Sequence, residues 1–393
     1  MSNNKKLVPK RRFKKFKKIE EWKLSYLGDL LEFYSGLTYS PKNIVEKGGT
    51  LVLRSSNVKD CELVLLDKVY VDSIYVNSEF VRYGDIIVVV RNGSKHLIGK
   101  HALIKKHIKN TVIGAFMTGI RYKIPEFMNS LLDTKRFHNE IEKNLGATIN
   151  QITIGHFRKM MFYIPDDIEQ KDIGAFFSKL DTLIQTQQKK LEKTKTLKLA
   201  YLAEMFPCDG ESKPKLRFKN FDKIWNITFL GLISQIKTGE SDAQDSVAYG
   251  KYPFFVRSEN IERSNRYLFD GEAILIPGEG RLGEIFHYIN GKFDYHQRVY
   301  KISNFSNNID GKFIFYLMQK DFKEHALKYT VKATVDSLRL PMLTNYRLKQ
   351  PILQEQNKVS SFFVKLDQKI ALEQRKLEKL NNIKQAYLNE MFV

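Results

Sequence analysis

The sequence predicts an α+β fold made of two mixed α/β bodies, each followed by one long helix. The two helices are expected to pair as an antiparallel coiled coil about a pseudo-twofold axis. Two observations lead to this fold class. The 393-residue chain carries one series of motifs twice in the same order, and each series ends in a long proline-free run. A repeat at this scale indicates two related structural units.

Short motifs mark the first part of each repeat. The segment PKRRFKKF (9–16), with Trp22 and Leu27-Gly28 after it, returns as PKLRFKNF (214–221), with Trp225 and Leu230-Gly231 after it. Further matches join RSSNV (54–58) to RSENI (257–261), GDII (84–87) to GEAI (271–274), and ATIN (147–150) to ATVD (333–336). Between these motifs the two copies differ, which predicts related bodies with different tasks.

The second part of each repeat matches far better. Residues 169–206 and 355–392 align without a gap, and roughly half of their positions are identical. The contrast with the upstream bodies indicates a task that both helices share.

Strand-like apolar runs and one helical run describe the first body. The expected strands are Leu51–Leu53, Lys68–Tyr75, Asp85–Val90, Ala102–Lys105 and Val112–Tyr122, and the expected helix is Pro125–Asn144. In the second body, Glu284–Tyr288 is expected to be a strand.

The long helices have start signals and an apolar stripe. Asp166 and Asp167 follow Pro165, and acidic residues suit a helix N-terminus. Heptad spacing predicts a pairing interface, made of Phe177, Leu180, Ile184, Leu191, Phe363, Leu366, Ile370, Leu377 and Leu380. Gln187 and Glu373 interrupt it, and about forty residues give a rod of about 60 Å. The alternative is a helix that lies on the core of its own body.

These signals set the expected domain boundaries. The first body spans 1–165 with a basic arm at 1–18, and the first helix spans 166–206. A linker at 207–221 leads to the second body at 222–351 and the second helix at 352–393.

Charge and composition narrow the possible partners. The net charge of +21, with 42% hydrophobic residues, indicates a folded protein with a polyanionic partner. Nucleic acid fits better than an anionic membrane, because the chain has no lipidation motif. With no transmembrane run, no signal peptide and two distant cysteines, Cys61 and Cys208, we expect a cytoplasmic protein with reduced thiols.

Several of these motifs together resemble the specificity subunits of type I restriction–modification systems. They are the PKxRFxxF lead, GDII with the RNG loop (84–93), residues 278–300, and the EQ…FF…LD…EMF helix, and they occur in order across nearly the whole chain. The resemblance implies two target recognition domains on spacer helices, with double-stranded DNA as ligand. It also implies two methyltransferase subunits that bind S-adenosylmethionine, and restriction subunits that use ATP and Mg²⁺. No cofactor is expected on this chain itself.

An antiparallel helix pair would hold the two bodies inverted, as dimeric DNA readers are when they contact half-sites about 34 Å apart. Polar side chains of the loops after the repeated strands are the candidates for contacting DNA, because Arg and Lys pair with guanine and Asn with adenine. In the first body they are Arg54, Arg91, Asn92, Ser94, Lys95, His96, Lys100, Thr148, Asn150 and Gln151. In the second body they are Arg257, Glu279, Arg281, His296, Gln297, Arg298, Thr334 and Ser337. Arg54 and Arg257 are expected to hold the framework or a phosphate.

Catalytic and metal sites find no support in the sequence. Residues 278–283 fit GxGxxG, but a strand is expected after them where a dinucleotide site needs a helix. The eight histidines form no metal-binding pair, and the NPPY-type motif of amino-methyltransferases is absent. We therefore expect a non-catalytic chain, with no metal site. A standalone DNA-binding regulator and a self-sufficient enzyme remain as alternatives.

Overall fold

The computed structural model describes residues 8–18, 21–145, 150–329 and 337–393. The chain forms two compact units. Unit 1 comprises Met1–Gln188 with Lys376–Val393, and unit 2 comprises Lys189–Arg375. Each unit therefore contains one body of sheets, the nearer half of its own long helix and half of the other one.

Short strands build the body of unit 1. They are β1 (Lys23–Tyr26), β2 (Glu32–Ser35), β3 (Ile44–Val45), β4 (Thr50–Leu53), β5 (Val58–Lys59), β6 (Glu62–Leu63), β7 (Val69–Val71), β8 (Ile86–Val89), β9 (His101–Leu103), β10 (Thr111–Ile113), β11 (Met117–Arg121) and β12 (Met161–Ile164). The helices are α1 (Leu27–Leu30), α2 (Pro125–Leu132), α3 (Lys135–Asn144), α4 (Ile154–Lys159) and the long α5 (Asp167–Met205).

Two four-stranded sheets dominate this body. Their strand orders are β10-β4-β7-β3 and β2-β11-β8-β9, and β1 pairs with β12 beside them. All four residues of β8 are buried, which explains its uninterrupted apolar sequence. The core joins Trp22, Phe127 and Phe157 to Phe177 of α5 and Leu388 of the second long helix.

Three sequence predictions for this body were too long. Val112–Tyr122 is two strands, β10 and β11, and Lys68–Tyr75 is β7 followed by a 3-10 turn that Asp72 caps. The predicted helix Pro125–Asn144 is α2 and α3, because the Thr134 hydroxyl accepts a hydrogen bond from the Phe137 amide and starts a new helix.

Unit 2 contains one large sheet. Its strands are β13 (Asn226–Phe229), β14 (Gln235–Thr238), β15 (Tyr252–Phe255), β16 (Ile261–Ser264), β17 (Phe269–Pro277), β18 (His287–Tyr295), β19 (Val299–Ser303) and β20 (Arg347–Gln350), and its helices are α6 (Leu230–Ile233), α7 (Gly311–Leu327), α8 (Leu340–Thr344) and the long α9 (Leu353–Met391). The six-stranded sheet has the order β14-β19-β17-β18-β15-β16, and β13 pairs with β20. The strand expected at Glu284–Tyr288 begins only at His287, because a turn occupies the residues before it.

Both long helices run for 39 residues. The Asp166 carboxylate accepts a hydrogen bond of 2.8 Å from the Glu169 amide, so the predicted acidic N-cap of α5 is confirmed. Gly174 does not interrupt the helix. An added Cβ at Gly174 would lie 2.7 Å from the Phe127 amide nitrogen, so this glycine allows α2 to approach α5 closely.

At their ends the long helices contact both the cores of the bodies and each other. In unit 1, Phe177 enters the core of the body, while Phe176 packs edge-on against Tyr387 at 4.9 Å. In unit 2, Phe363 enters the core and Phe362 packs against Tyr201 at 4.9 Å. Within each unit, higher numbers on one helix contact lower numbers on the other, so the helix segments are antiparallel.

The expected pairing residues differ in exposure. Phe177, Leu180, Leu191 and Phe363 are buried, whereas Ile184, Leu366, Ile370, Leu377 and Leu380 are partly buried. Glu373 interrupts the stripe, and it is buried in an ion pair with Lys190 in unit 2.

Among the residues that the structure describes, no helix has the length and apolar character that a membrane crossing requires.

Candidate nucleic-acid interface

The same buried ion pair ties the lead segment to the long helix in each unit. In unit 1 the Arg12 guanidinium donates two hydrogen bonds, of 2.7 and 2.6 Å, to Glu169. In unit 2 Arg217 donates to Glu355 at 2.7 and 2.8 Å. The side chains of Glu169 and Glu355 are each only 1% exposed. Part of the predicted basic arm is therefore structural.

The aromatic packing around this ion pair is repeated as well. Phe13 packs edge-on against Phe176 in unit 1, as Phe218 packs against Phe362 in unit 2. Next to them the Leu27 amide donates to the Met160 carbonyl, and the Leu230 amide donates to the Tyr346 carbonyl. We call this repeated arrangement at the helix ends the helix base.

In unit 1 the predicted DNA-contacting loop follows the C-terminal end of β8. The Ile152 amide donates to the Val90 carbonyl and the Asn92 amide donates to the Asn150 carbonyl, so Arg91 and Gln151 form an antiparallel bridge. The Asn150 side chain donates to the Gly93 carbonyl at 3.0 Å. Two candidate segments that lie far apart in the sequence thus form one edge.

The remaining loop residues of unit 1 follow this edge. The Asn92 side chain donates to Ser55 at 3.2 Å and accepts from the Ser94 amide, and Ser94 contacts His96. These contacts shape the loop, while the Lys95 and Lys100 side chains are exposed. The exposed Arg91 guanidinium lies over the Phe116 ring, 5.1 Å from its centroid.

Arg54 lies beside the same edge. It forms an ion pair with Asp67, and its backbone is tied to the Asn57 side chain, which agrees with the expected framework role. Arg54 and Phe116 also line one open cavity of about 550 Å³, together with Ser55, Ser56 and Asp67. The cavity brings cationic, hydroxyl and aromatic groups to the surface at one place.

Unit 2 builds the corresponding edge from different residues. The Leu338 amide donates to the Gly278 carbonyl, and Glu279 bridges Ser337 as Arg91 bridges Gln151. The Glu279 carboxylate accepts hydrogen bonds from Arg298 on one oxygen and from Arg257 on the other, the latter at 3.1 Å. These hydrogen bonds, that from Arg298 first, hold the pKa of Glu279 below its ordinary value.

The other candidates of unit 2 have protein partners too. Arg281 forms an ion pair with Glu259, and Gln297 donates to Asp242 at 3.4 Å. His296 is only 2% exposed, because its Nε2 faces Asp242 and its Nδ1 accepts from the Arg298 amide. The structure therefore places this histidine inside the loop framework instead of on the contact surface. Thr148 and Thr334 lie outside the described residues.

The backbone register identifies which positions correspond. Both Arg91 and Glu279 follow the strand carrying the GDII or GEAI motif. The preceding residues, Val90 and Gly278, donate their amides to the carbonyls of Phe116 and Arg298. We therefore define the edge triad as Arg54, Arg91 and Phe116 in unit 1. Its counterpart in unit 2 is Arg257, Glu279 and Arg298. The sequence analysis named every member of the two triads except Phe116, but it did not show which positions correspond.

One described cluster has metal-ligand chemistry. Cys61, His101 and Asp133 bring their ligand atoms within 4.8 Å of one another. Lys384 donates to Asp133 at 2.7 Å and lies 2.6 Å from Asp181, so an ammonium group already balances these carboxylates. Both His101 nitrogens face carbonyl oxygens, of Gly99 and Asn129, which favours the doubly protonated ring. We therefore describe the cluster as a buried ion-pair network.

The model of the type I restriction modification DNA specificity domain matches residues 19–196 and 222–382, in both repeats. The chain belongs to this family. It is accordingly a DNA-binding specificity subunit of the type I restriction–modification kind. It is non-catalytic, because catalysis in these systems lies on partner subunits.

Individual relatives agree with this assignment. The type I restriction enzyme MjaVIII specificity subunit of Methanocaldococcus jannaschii is 22% identical over 409 positions, covering 94% of this chain and 92% of the relative. The crystal structure of the type I restriction–modification system S subunit from M. genitalium matches with a TM-score of 0.69 at 18% identity, covering 98% of this chain and 99% of that one. The family and the fold class predicted from the sequence, two recognition domains of mixed helix and sheet, are confirmed.

A third likeness comes from a structure described as the basis of complex assembly and conformational transition of the type I R-M system. It has a TM-score of 0.52 at 15% identity, and it covers 94% of this chain and 97% of that one. At these identities both structural likenesses show the fold alone.

Proposed function

We propose that this specificity subunit reads a bipartite, asymmetric DNA target, with one half-site for each unit. The observation that carries the proposal is the contrast between the repeated helix base and the edge triads. Both units hold their helices through the same Arg–Glu ion pair, yet they present opposite charges at Arg91 and Glu279. A shared base with different contact edges suits two unlike half-sites.

The chemistry of the edges supports sequence reading. Arginine pairs with the O6 and N7 atoms of guanine, and a carboxylate accepts from the amino group of cytosine. Lysines such as Lys95 and Lys100 supply contacts to phosphates, which position a protein on DNA without reading its sequence. The net charge of +21 adds the long-range attraction that such binding needs.

The partner subunits complete the proposed function. Two methyltransferase subunits would dock on this chain and bind S-adenosylmethionine, and through them restriction subunits would bring ATP and Mg²⁺. A structure that concerns complex assembly of the type I R-M system shares the fold of this chain. We place the complex in the cytoplasm, because its target is the DNA of the cell or DNA that enters it.

The direct test is a map of N6-methyladenine in DNA modified by the chain assembled with its methyltransferase subunits. We expect two different short motifs separated by a spacer whose bases are not read. A single uninterrupted motif would contradict bipartite reading. Recovery of the chain from cells without any methyltransferase, with unchanged target binding, would instead favour the standalone regulator.

The helices are proposed to set the spacer length. Seven residues inserted after Gln188 and seven after Arg375 keep the helical face and add about 10 Å to each helix. At 3.4 Å per base pair, the spacer in the methylation map should grow by about three base pairs. An insertion of seven residues in the linker at 207–221 is the control, since it leaves the helices unchanged. An unchanged spacer in the helix variant would refute the role as a ruler.

A further inference from the structure

The middle position of the edge triad carries opposite charges in the two units. Arg91 and Glu279 lie in equivalent backbone bridges, one in each unit. In both units the amide of the preceding residue donates to a backbone carbonyl, that of Phe116 or that of Arg298. The bridge fixes the direction of each side chain from two sides. A charge reversal at one fixed position replaces a hydrogen-bond donor with an acceptor and leaves the scaffold as it is.

The neighbours of this position differ in a matching way. In unit 1 the Phe116 ring supports the guanidinium of Arg91, and Arg54 turns to Asp67. In unit 2 Arg298 and Arg257 both turn to Glu279. The edge of unit 1 thus offers a donor beside an apolar ring, whereas the edge of unit 2 offers an acceptor between two donors.

The Glu279 carboxylate retains room for a DNA base. Each of its oxygens accepts one hydrogen bond from an arginine, and an ionised carboxylate has about four acceptor sites. Its side chain is 28% exposed, and those of Arg257 and Arg298 are about half exposed, at 48% and 55%. The arginines therefore orient the carboxylate and leave two acceptor sites for a ligand.

We propose that the middle position of the edge triad determines the base preference of each unit. Arg91 selects guanine through its O6 and N7 atoms, and Glu279 selects a base with an exocyclic amino group, which is cytosine N4 or adenine N6. Arg257 and Arg298 act as positioning residues that hold the carboxylate. This inference rests on the proposed function and names the chemistry that each half-site must present.

Stability does not account for the arrangement in unit 2. Exposed ion pairs contribute little to folding, so three joined charges at a surface are not needed to hold the sheet. The bridge to Ser337 is made by backbone atoms, so it does not depend on the side chain of Glu279. Substitutions here are therefore expected to fold, and the other half-site serves as an internal control in the same molecule.

The test uses the full chain assembled with its methyltransferase subunits and a duplex library randomised over both half-sites. Glu279→Gln should reduce the preference at one position of the second half-site by about tenfold. Glu279→Arg should shift that position to guanine, and Arg91→Gln should remove a guanine preference from the first half-site. Glu259→Gln, at an exposed glutamate paired with Arg281, is the matched control and should change neither half-site.

The base that the unaltered chain selects at this position of the second half-site shows whether Glu279 prefers cytosine or adenine. Either base supports the inference. Unchanged base preferences with Glu279→Gln and Glu279→Arg would overturn it, as would an equal loss at both half-sites. In that result the unaltered chain would still select two half-sites, so the proposed function would stand. Failure of the unaltered chain to select a bipartite sequence would instead refute the proposed function.

Discussion

The two units have the same side-chain contacts at the helix base, but they differ in side-chain charge at the edge triad. At the helix base, Arg12 and Arg217 donate the same pair of hydrogen bonds to Glu169 and Glu355. At the edge triad, Arg91 and Glu279 share a backbone position and carry opposite charges. The first region is buried, whereas the second is exposed and is the proposed contact surface. The two units thus share a scaffold and differ at this proposed surface.

The largest expected effect tests whether the Arg–Glu ion pairs of the two helix bases stabilise their units equally. Arg12→Ala and Arg217→Ala should each lower the free energy of unfolding of their unit by about 3–5 kcal/mol, since each leaves a buried carboxylate without its partner. Urea denaturation of the full chain, followed by tryptophan fluorescence, measures both. The exposed Arg11→Ala serves as control. A large loss of unfolding free energy for one variant and none for the other would show that the two ion pairs are not equivalent.

A smaller effect is expected at Gly174 and its counterpart. Position 174 corresponds to Ser360, which contacts Asp310 in unit 2. Gly174→Ala should destabilise unit 1 by about 1–3 kcal/mol through overpacking against α2. Ser360→Ala should cost about 1 kcal/mol, the contribution of one hydrogen bond. A stabilised Gly174→Ala variant in urea denaturation would show that α2 lies farther from α5.

The His101 network should make the stability of unit 1 sensitive to pH. Burial would lower the pKa of His101, but the Asp133 carboxylate outweighs it and raises the pKa above 6.5, against a small opposing effect of Lys384. A raised pKa stabilises the folded state below pH 6.5, and this contribution is lost as the pH rises through the folded pKa.

The measurement is the stability difference between the unaltered chain and His101→Gln from pH 5.5 to 9. It should be largest at the acidic end and shrink with rising pH. Because His138 has its pKa lowered by burial and contributes with the opposite sign, His138→Gln is the matched control. A stability difference that grows with pH would show that His101 is not protonated in the folded state.

The smallest expected effect concerns phosphate contacts. In the described part of the chain, neither Lys95 nor Lys100 has a carboxylate partner, whereas Arg281 is paired with Glu259. Lys95→Ala should reduce the slope of log affinity against log salt by about one and leave the base preference unchanged. Arg281→Ala should change the slope less. A changed base preference with Lys95→Ala would make this lysine a reader.

The sequence predicted the features that depend on repetition and periodicity. The long helices, their acidic start and the structural part of the basic lead all follow from strong, local or duplicated signals. The junction at Thr134 was missed although a capping residue marks it, because the apolar pattern continues through it. The turn between β10 and β11 was missed because one β-rich run of sequence spans both strands.

Other features depend on contacts that spacing does not reveal. The sequence named Glu279 as one of several candidates in the second body, and only the bridge to Ser337 assigns it to the position of Arg91. Phe116 was missed because its contact with Arg91 crosses from one strand end to another. His296 was expected on the surface, since its partner Asp242 lies 54 positions away in the sequence.

We propose that one constant scaffold carries two exchangeable readers. This proposal is tested most directly by replacing residues 222–351 with a second copy of residues 19–165, at equivalent junctions and with both long helices unchanged. We expect the assembled complex to methylate a symmetric target, with the first half-site present twice around an unread spacer of unchanged length. Methylation that still requires the original second half-site would contradict it.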